Sequence, residues 1–363
     1  MKDHFYAVIM AGGGGTRLWP VSRKWMPKQM LRFLGDRSLF QLAFDRLQGI
    51  FPPERIFVVT VQDQIKTLSD NCPRIPSENF IVEPSPRGTA SVIGLAASLL
   101  NHIDKQAVMA VLTADHVIAN IDLFRRLLED GFDVAQRDYM VTLGIEPTYA
   151  STGYGYIESG EVLDKSFSFI VNHVKRFIEK PTQEAAQKFL EKGCYSWNSG
   201  MFIWRVNRIL NEFKSQMPVL SDTLDLISSM IGTPKFGEVL QDEWGKITPQ
   251  TIDYGIMEHA EKVAVLPAKG LGWSDVGSWD SLFDFLKADE QGNVILGNNN
   301  YLMDVNNTLV NNIDPKHLVA LIGIDDLVIV ESKDVLLVCK RGDSQHVRKM
   351  VEILKKKNLD NYL

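Results

Sequence analysis

The sequence predicts an α/β protein: a doubly wound, mostly parallel sheet, then a smaller β-rich C-terminal domain that ends in a helix. Three observations predict it. The apolar run Phe5-Tyr6-Ala7-Val8-Ile9-Met10 stops at four consecutive glycines, as a buried strand does when it feeds a ligand-binding loop. Apolar strand-like runs then alternate with amphipathic stretches as far as Leu143, the pattern of strand and helix units around a parallel sheet. Beyond about residue 286 the texture changes to short apolar runs separated by Asn- and Asp-rich turns.

Taken in order, Ser38 with Gln41 three residues on reads as a capping box, and Leu39, Leu42, Phe44 and Leu47 supply the helical stripe behind it. Ile56, Val58, Val59 and Val61 mark the second strand. A helix at about 88–102, a strand Ala107–Leu112, a helix at about 121–137 and a strand Tyr139–Leu143 continue the alternation. Beyond Gly153 the pattern turns mixed, with strands Tyr154–Glu158, Val174–Ile178 and Met201–Arg205 and a helix opened by Thr182, as a sheet insertion around a pocket would be. The tail offers Val294–Leu296, Leu318–Ile322, Leu327–Val330 and Val335–Val338, whose spacing permits a β-solenoid turn or two. Val347, Met350, Val351 and Leu354 then fall at i, i+3, i+4 and i+7 of a last helix with a lysine-rich end.

At 363 residues the chain exceeds one growing core. We expect a large domain over 1–285 and a β-rich domain with the terminal helix over 286–363. Against 45 acidic residues stand 39 basic ones, a net charge of −6 that gives no overall field for nucleic acid or an anionic membrane, so neither is expected as a partner. Cys72, Cys194 and Cys339 are far apart with no CxxC pair, which points to neither zinc nor a disulfide framework and suits a reducing compartment. The run Tyr6–Ala11 is too short for a signal peptide core, and no apolar run reaches membrane-spanning length, so a cytoplasmic location is expected.

The glycines Gly12, Gly13, Gly14 and Gly15 put backbone N–H groups at a strand end where side chains would block a ligand, an arrangement that suits phosphate. The loop lacks the Gly-Lys-Ser/Thr ending of a P-loop and does not match GxGxxG with its downstream acid. A cluster of cations, Arg17, Arg23, Lys24 and Lys28, follows with Pro20 and Pro27 between them, a charge density that suits a triphosphate.

Ala11-Gly12-Gly13-Gly14-Gly15-Thr16-Arg17-Leu18-Trp19-Pro20-Val21-Ser22-Arg23, continued by Pro27-Lys28-Gln29, resembles the signature of the mannose-1-phosphate guanylyltransferases, or GDP-mannose pyrophosphorylases. Four further segments match in order. Met30 stands where relatives often carry phenylalanine, and Gly88 where they often carry asparagine. The resemblance implies a Rossmann-like nucleotidyltransferase fold. It implies that Ala11 to Thr16 wrap the nucleotide phosphates, and that Arg17 and Lys28 neutralise charge during transfer. In Glu83-Pro84-Ser85-Pro86-Arg87-Gly88-Thr89-Ala90 it implies the base segment, with Glu83, Pro84, Arg87 and Thr89 facing nucleotide. Thr89 could also cap the helix that follows.

Asp115, in Thr113-Ala114-Asp115-His116, falls at the carboxyl end of an apolar strand, the switch-point position where a carboxylate can hold Mg2+. Asp275, in Gly272-Trp273-Ser274-Asp275-Val276-Gly277, matches the family's second metal aspartate, while His116 reads as a structural histidine because the reaction needs no base. Glu179-Lys180-Pro181 resembles the sugar-binding segment, with Lys180 near phosphate; Gly155, Asn198 and Asp253 are expected around the same sugar, although Asp253 could equally cap a helix. The implied reaction is attack by mannose 1-phosphate on the α-phosphorus of GTP with loss of pyrophosphate. Two other readings are weighed: a transferase for glucose 1-phosphate with UTP or dTTP, and a non-catalytic sugar-nucleotide-sensing subunit. The tail leaves no room for the isomerase domain fused in some longer relatives, so the single-activity form is expected, with a homodimer formed through the C-terminal domain.

Overall fold

The computed structural model describes residues 2–13, 15–164 and 167–363, and the chain divides into two compact units. Gly14 lies outside the described residues. The first unit comprises Met1–Gly12, Phe44–Thr113 and Ile118–Leu271; the second comprises Gly13–Ala43, Ala114–Val117 and Gly272–Leu363.

The strands of the first unit, in chain order, are β1 (Phe5–Met10), β2 (Ile56–Val61), β3 (Phe80–Glu83) and β4 (Val108–Thr113). After the short β5 (Val117–Ile118) come β6 (Met140–Ile145), β7 (Tyr156–Asp164), β8 (Val171–Ile178), β9 (Tyr195–Arg205) and β10 (Val263–Pro267). All but β5 join one nine-stranded sheet in the order β3-β2-β1-β4-β9-β6-β10-β8-β7. The β3-β2-β1-β4 run and the β6–β10 pair are parallel, and their continuous apolar character suits strands buried on both faces. Strand β9 runs antiparallel to both β4 and β6, and the sheet insertion expected beyond Gly153 contains the antiparallel pair β7 and β8.

The helix Thr89–Ile103 buries ten of its 15 residues. It meets Phe202, Trp204, Phe213 and Leu224 in one apolar cluster, where each fully buried large side chain contributes about 1.5–3 kcal/mol. Asn120 caps the helix Ile121–Gln136 by accepting from Leu123 N–H at 3.0 Å, and Thr182 caps Gln183–Lys192 by accepting from Ala185 at 3.3 Å.

In the second unit, after the short β11 (Trp273–Ser274), come β12 (Val294–Gly297), β13 (Asn300–Asn306), β14 (Leu309–Asn312), β15 (Val319–Asp325), β16 (Leu327–Ser332) and β17 (Val335–Lys340). Successive strands alternate between two ladders, β12-β14-β16-β17 and β13-β15, and all pairs except the last hairpin are parallel. The chain therefore winds as solenoid turns before the helix Val347–Lys356. That helix turns Val347 and Val351 into a core with Leu18, Trp19, Trp279 and Val328. The capping box is realised in both directions: Ser38 N–H donates to Gln41 Oε1 at 3.0 Å, and Gln41 N–H to Ser38 Oγ at 3.1 Å. Among the described residues no helix is long and apolar enough to cross a membrane.

Candidate functional site

Two groups of functional side chains are held by the two units, and each has its own geometry. In the second unit the glycine loop opens into the turn Thr16–Leu18, with Gly13 and Gly15 at φ +118° and +56°, conformations that favour glycine. Ser22 Oγ donates to the Gly15 carbonyl at 2.7 Å and fixes the loop's exit. Arg17 is exposed and donates to Gln345 Oε1 at 3.1 Å. Lys28 is the centre of this group: its ammonium donates to Asp115 Oδ2 and to the Asp275 carbonyl, each at 2.6 Å. One lysine thus gathers both aspartates that sequence reasoning singled out.

Burial alone would raise the Asp115 pKa, but the Lys28 charge, then His116, then the Lys28 hydrogen bond outweigh it and hold the group below the usual range. Asp115 is therefore an anion. Asp275 Oδ1 accepts from Gly277 N–H at 3.0 Å, while Ser274 Oγ accepts from Val276 N–H at 3.2 Å. Between them Val276, fully buried, sits at φ +48°, an outlying conformation for a β-branched residue and one that its packing must enforce. His116 Nδ1 accepts from the Trp273 indole N–H at 3.1 Å, with the rings edge to face, which matches the structural reading of that histidine. The donor set fits a hard divalent cation: two aspartates, oxygen-only, one of them held in its charged form by the Lys28 ammonium. Among the described residues no group of three or more His, Cys, Asp or Glu could cage a metal alone. A cation that keeps water and substrate phosphates as ligands needs only one or two protein carboxylates.

Arg23 is a different case. Grouped by sequence with the phosphate cations, it is instead buried, with its Nε on the Pro20 carbonyl at 2.6 Å and its fork on Asp334 at 2.7 and 3.3 Å. Its fork faces this carboxylate, and it is no phosphate ligand. Lys24 is exposed and lies 3.5 Å from Asp360.

In the first unit Ala11 is tied to β2, its N–H donating to the Val59 carbonyl at 2.8 Å and its carbonyl accepting from Thr60 Oγ1 at 3.1 Å. Gly12 is exposed, and a Cβ there would come 3.5 Å from Glu83 Oε1. Glu83 ends β3, only 6% exposed, with Oε2 lacking a hydrogen-bond partner among the described residues. Burial pushes its pKa up from 4.5 to about 7, partly offset by a backbone hydrogen bond from Arg87. The segment Glu83–Ala90 is braced by Gln250: its N–H donates to the Arg87 carbonyl at 3.2 Å, and Ala90 N–H donates to the Gln250 carbonyl at 3.1 Å. Thr89 does not cap its helix, since its hydroxyl accepts from Ile252 N–H at 2.9 Å. Pro84 is half-buried beside Glu83.

The predicted sugar residues converge within the same unit. Glu179 is nearly buried, paired with Lys180 Nζ at 3.2 Å, and a Cβ on Gly155 would lie 2.3 Å from its Oε2. Asn198 N–H donates to the Gly155 carbonyl at 2.8 Å, and its side-chain amide donates to Asp253 Oδ1, also at 2.8 Å. Asp253 makes no capping bond at its helix start; it stands on a π-turn, Asp253–Met257, a geometry common at functional sites. Sequence reasoning missed Glu258, whose carboxylate accepts from Glu179 N–H at 3.3 Å. The signal available was its place one turn beyond Asp253. Burial raises the Glu179 pKa, and the Asp253 and Glu258 charges add to that; burial likewise raises Asp253 against the Asn198 hydrogen bond.

A glycine loop whose lysine holds two aspartates is the equipment of a protein that transfers nucleotidyl groups, and the comparisons agree on that class. A nucleotidyl transferase family model matches residues 6–292, and a mannose-P isomerase/GMP-like beta-helix domain matches residues 298–354. The mannose-1-phosphate guanylyltransferase of Klebsiella pneumoniae is 38% identical over 362 residues, 98% of this chain and 75% of that protein. That of Escherichia coli K12 is 36% identical over 366 residues, 98% and 74% respectively. A crystal structure described as mannose-1-phosphate geranyltransferase from Thermus thermophilus superposes with a TM-score of 0.86 at 29% identity, covering 97% of this chain and 99% of that one. The chain belongs to the mannose-1-phosphate guanylyltransferase family.

Proposed function

We propose that this enzyme joins mannose 1-phosphate to GTP, releasing pyrophosphate and leaving GDP-mannose. The observation that carries the mechanism is the Lys28 ammonium held between the Asp115 carboxylate and the Asp275 carbonyl at the foot of the glycine loop. The attacking phosphate, with a second pKa of about 6, is largely a dianion at neutral pH, so no enzyme nucleophile or base is required. The barrier is repulsion and misalignment. Ala11 anchors the start of the loop on β2, the loop from Gly12 to Thr16 offers backbone donors to the triphosphate, and Arg17 and Lys28 offset its charge. Asp115 and Asp275 would hold Mg2+, which when bound would supply charge neutralisation and orientation of the phosphates.

Glu83 precedes Pro84 and accepts a backbone hydrogen bond from Arg87, and we assign these residues, with Thr89, to the base. Guanine presents an N–H and an amino group side by side, and a buried carboxylate oxygen with an unmet acceptor suits them. Glu179, Asn198, Asp253 and the backbone at Gly155 take the sugar hydroxyls, with Lys180 left for its phosphate. We infer a catalytic domain over 1–285 and a C-terminal domain over 286–363, supported by the separate family matches. A second copy of the chain is proposed to cover the exposed stripe of Tyr301, Met303 and Ile322 on the β13–β15 ladder, with Leu318 just before it. Light scattering on Ile322→Lys, expected to halve the mass, checks it. The free thiols of Cys194 and Cys339 support a reducing cytoplasmic compartment.

The test of function is pyrophosphate release with Mg2+, crossing mannose 1-phosphate and glucose 1-phosphate against GTP, ATP, UTP and dTTP, with Asp275→Ala alongside. Turnover chiefly with mannose 1-phosphate and GTP, lost in the variant, is the expected result. Turnover chiefly with another pair would discard the guanylyl assignment, and none with any pair would leave a sensing subunit.

A further inference from the structure

We propose that the C-terminal segment 332–363 is part of the nucleotide-binding apparatus: it holds the phosphate loop in shape, with Asp334, acting through Arg23, as the principal positioning residue. This rests on the reading of residues 11–17 as the phosphate loop.

The stretch that follows the loop is tied at three points to partners more than 300 positions away. Arg17 Nη1 donates to Gln345 Oε1 at 3.1 Å. The Trp19 indole N–H donates to the Tyr362 carbonyl at 2.6 Å, and the Trp19 carbonyl accepts from the Trp279 indole at 3.0 Å. The Arg23 guanidinium spans Asp334 with both Nη atoms, at 2.7 and 3.3 Å, and its Nη2 also lies 3.4 Å from Ser332 Oγ. Asp334 sits in the tight turn between β16 and β17. The exposed Lys24–Asp360 contact adds little. Behind these bonds the terminal helix packs on the Thr16–Leu18 turn, and Val347 and Val351 share a core with Leu18 and Trp19.

These ties differ in strength, and the difference selects Arg23. Its side chain is 4% exposed and planar, and the bidentate pairing fixes both its distance and its orientation. Its Nε on the Pro20 carbonyl passes that orientation straight to the backbone between the loop and Lys28. A run of four glycines has much conformational entropy to lose when it closes on phosphate. Anchoring its exit in advance removes part of that cost before substrate arrives, which is preorganisation in its ordinary sense. Removing the Asp334 carboxylate leaves the buried guanidinium with only neutral acceptors among the described residues and frees the stretch around Pro20.

The experiment uses the full chain with GTP and mannose 1-phosphate, and compares Asp334→Ala, Asp334→Glu, Arg17→Ala and Val305→Ala by steady-state kinetics and thermal unfolding. Val305 is a buried strand residue of the solenoid that makes none of these ties. Asp334→Ala is expected to raise the KM for GTP roughly ten- to a hundredfold, with the KM for mannose 1-phosphate within about twofold. Asp334→Glu is expected to recover most of the loss. Val305→Ala is expected to lower Tm without moving either KM. The proposal is overturned if Asp334→Ala shifts only Tm, or raises both KM values alike, while Arg17→Ala still weakens GTP. If Arg17→Ala also leaves the GTP KM unchanged, the phosphate-loop reading itself falls and the proposal with it.

Discussion

Replacing Gly155 by alanine should separate sugar binding from everything else the protein does. The added Cβ would lie 2.3 Å from Glu179 Oε2 and 3.4 Å from Asn198 Cβ. Gly155 is not in the left-handed region, so its backbone accepts alanine without strain. The atom in the way is the far end of a flexible side chain, which makes carboxylate displacement cheaper than backbone movement. The carboxylate that moves is the one paired with Lys180 at 3.2 Å and nearly buried against Asp253. A hydrogen bond to a charged group is worth about 1.5–3 kcal/mol, so losing the one Glu179 makes to a mannose hydroxyl should raise the KM for mannose 1-phosphate roughly ten- to 150-fold. Steady-state pyrophosphate release, varying each substrate in turn, reads this directly. The GTP KM should stay put, and Tm should change by no more than a few degrees. An unchanged sugar KM, or an equal rise for GTP, would refute the placement of Glu179 at the sugar.

Three further outcomes are expected. Glu83 has its pKa raised to about 7, so its folded form favours the proton: the stability it contributes is full below pH 4.5 and is lost as pH rises through 7, up to about 3 kcal/mol. Glu83→Gln should therefore flatten the fall in Tm between pH 5 and 8 and be the more stable protein at pH 8; a pH-independent difference in Tm would contradict the assignment. Lys28→Ala removes the charge that keeps Asp115 ionised, and pyrophosphate release should drop about a hundred- to a thousandfold, where a loss under tenfold would deny Lys28 its role. Gly88→Ala puts a Cβ 2.2 Å from the Gln250 carbonyl at φ +85°, with main chain on both sides of the clash, and thermal unfolding should show a loss of at least about 2 kcal/mol.

Much of this was legible in the sequence, because the deciding features are local. A buried strand ending in glycines, the Ser38–Gln41 box and the Thr182 cap each depend on residues within a few positions of one another, and each formed as read. The antiparallel insertion of β9 between β4 and β6 was not legible, since an apolar strand buried on both faces has the same pattern in either direction. Nor were the helices Val206–Gln216, Pro218–Ser229 and Phe236–Trp244, which the strand-and-helix alternation did not reach. The side-chain direction of Arg23 was hidden for another reason. A cation's sign can be read from sequence, whereas its partner, 311 positions away, cannot.

The glycines make the same point from the other side. In the four-glycine run sequence reasoning saw room for a ligand, yet at Gly15, as at Gly155 and Gly277 elsewhere in the chain, the room is taken by neighbouring charged side chains. A Cβ on Gly15 would fall 2.3 Å from Lys28 Cβ, one on Gly155 would meet Glu179, and one on Gly277 would come 2.4 Å from Asp275 Oδ2. At each of these positions the missing side chain lets a charged residue lie against the main chain, where its position is set by contact as well as by its ion pair or hydrogen bond. Lys28 shows why that matters in a chain of net charge −6. It cannot rely on a surrounding field to hold phosphate, and before substrate arrives its charge is already spent on Asp115. If Lys28 holds phosphate as proposed, the phosphate must compete for an ammonium fixed in place, so its gain comes from geometry that is already correct and not from bringing charge in from solvent.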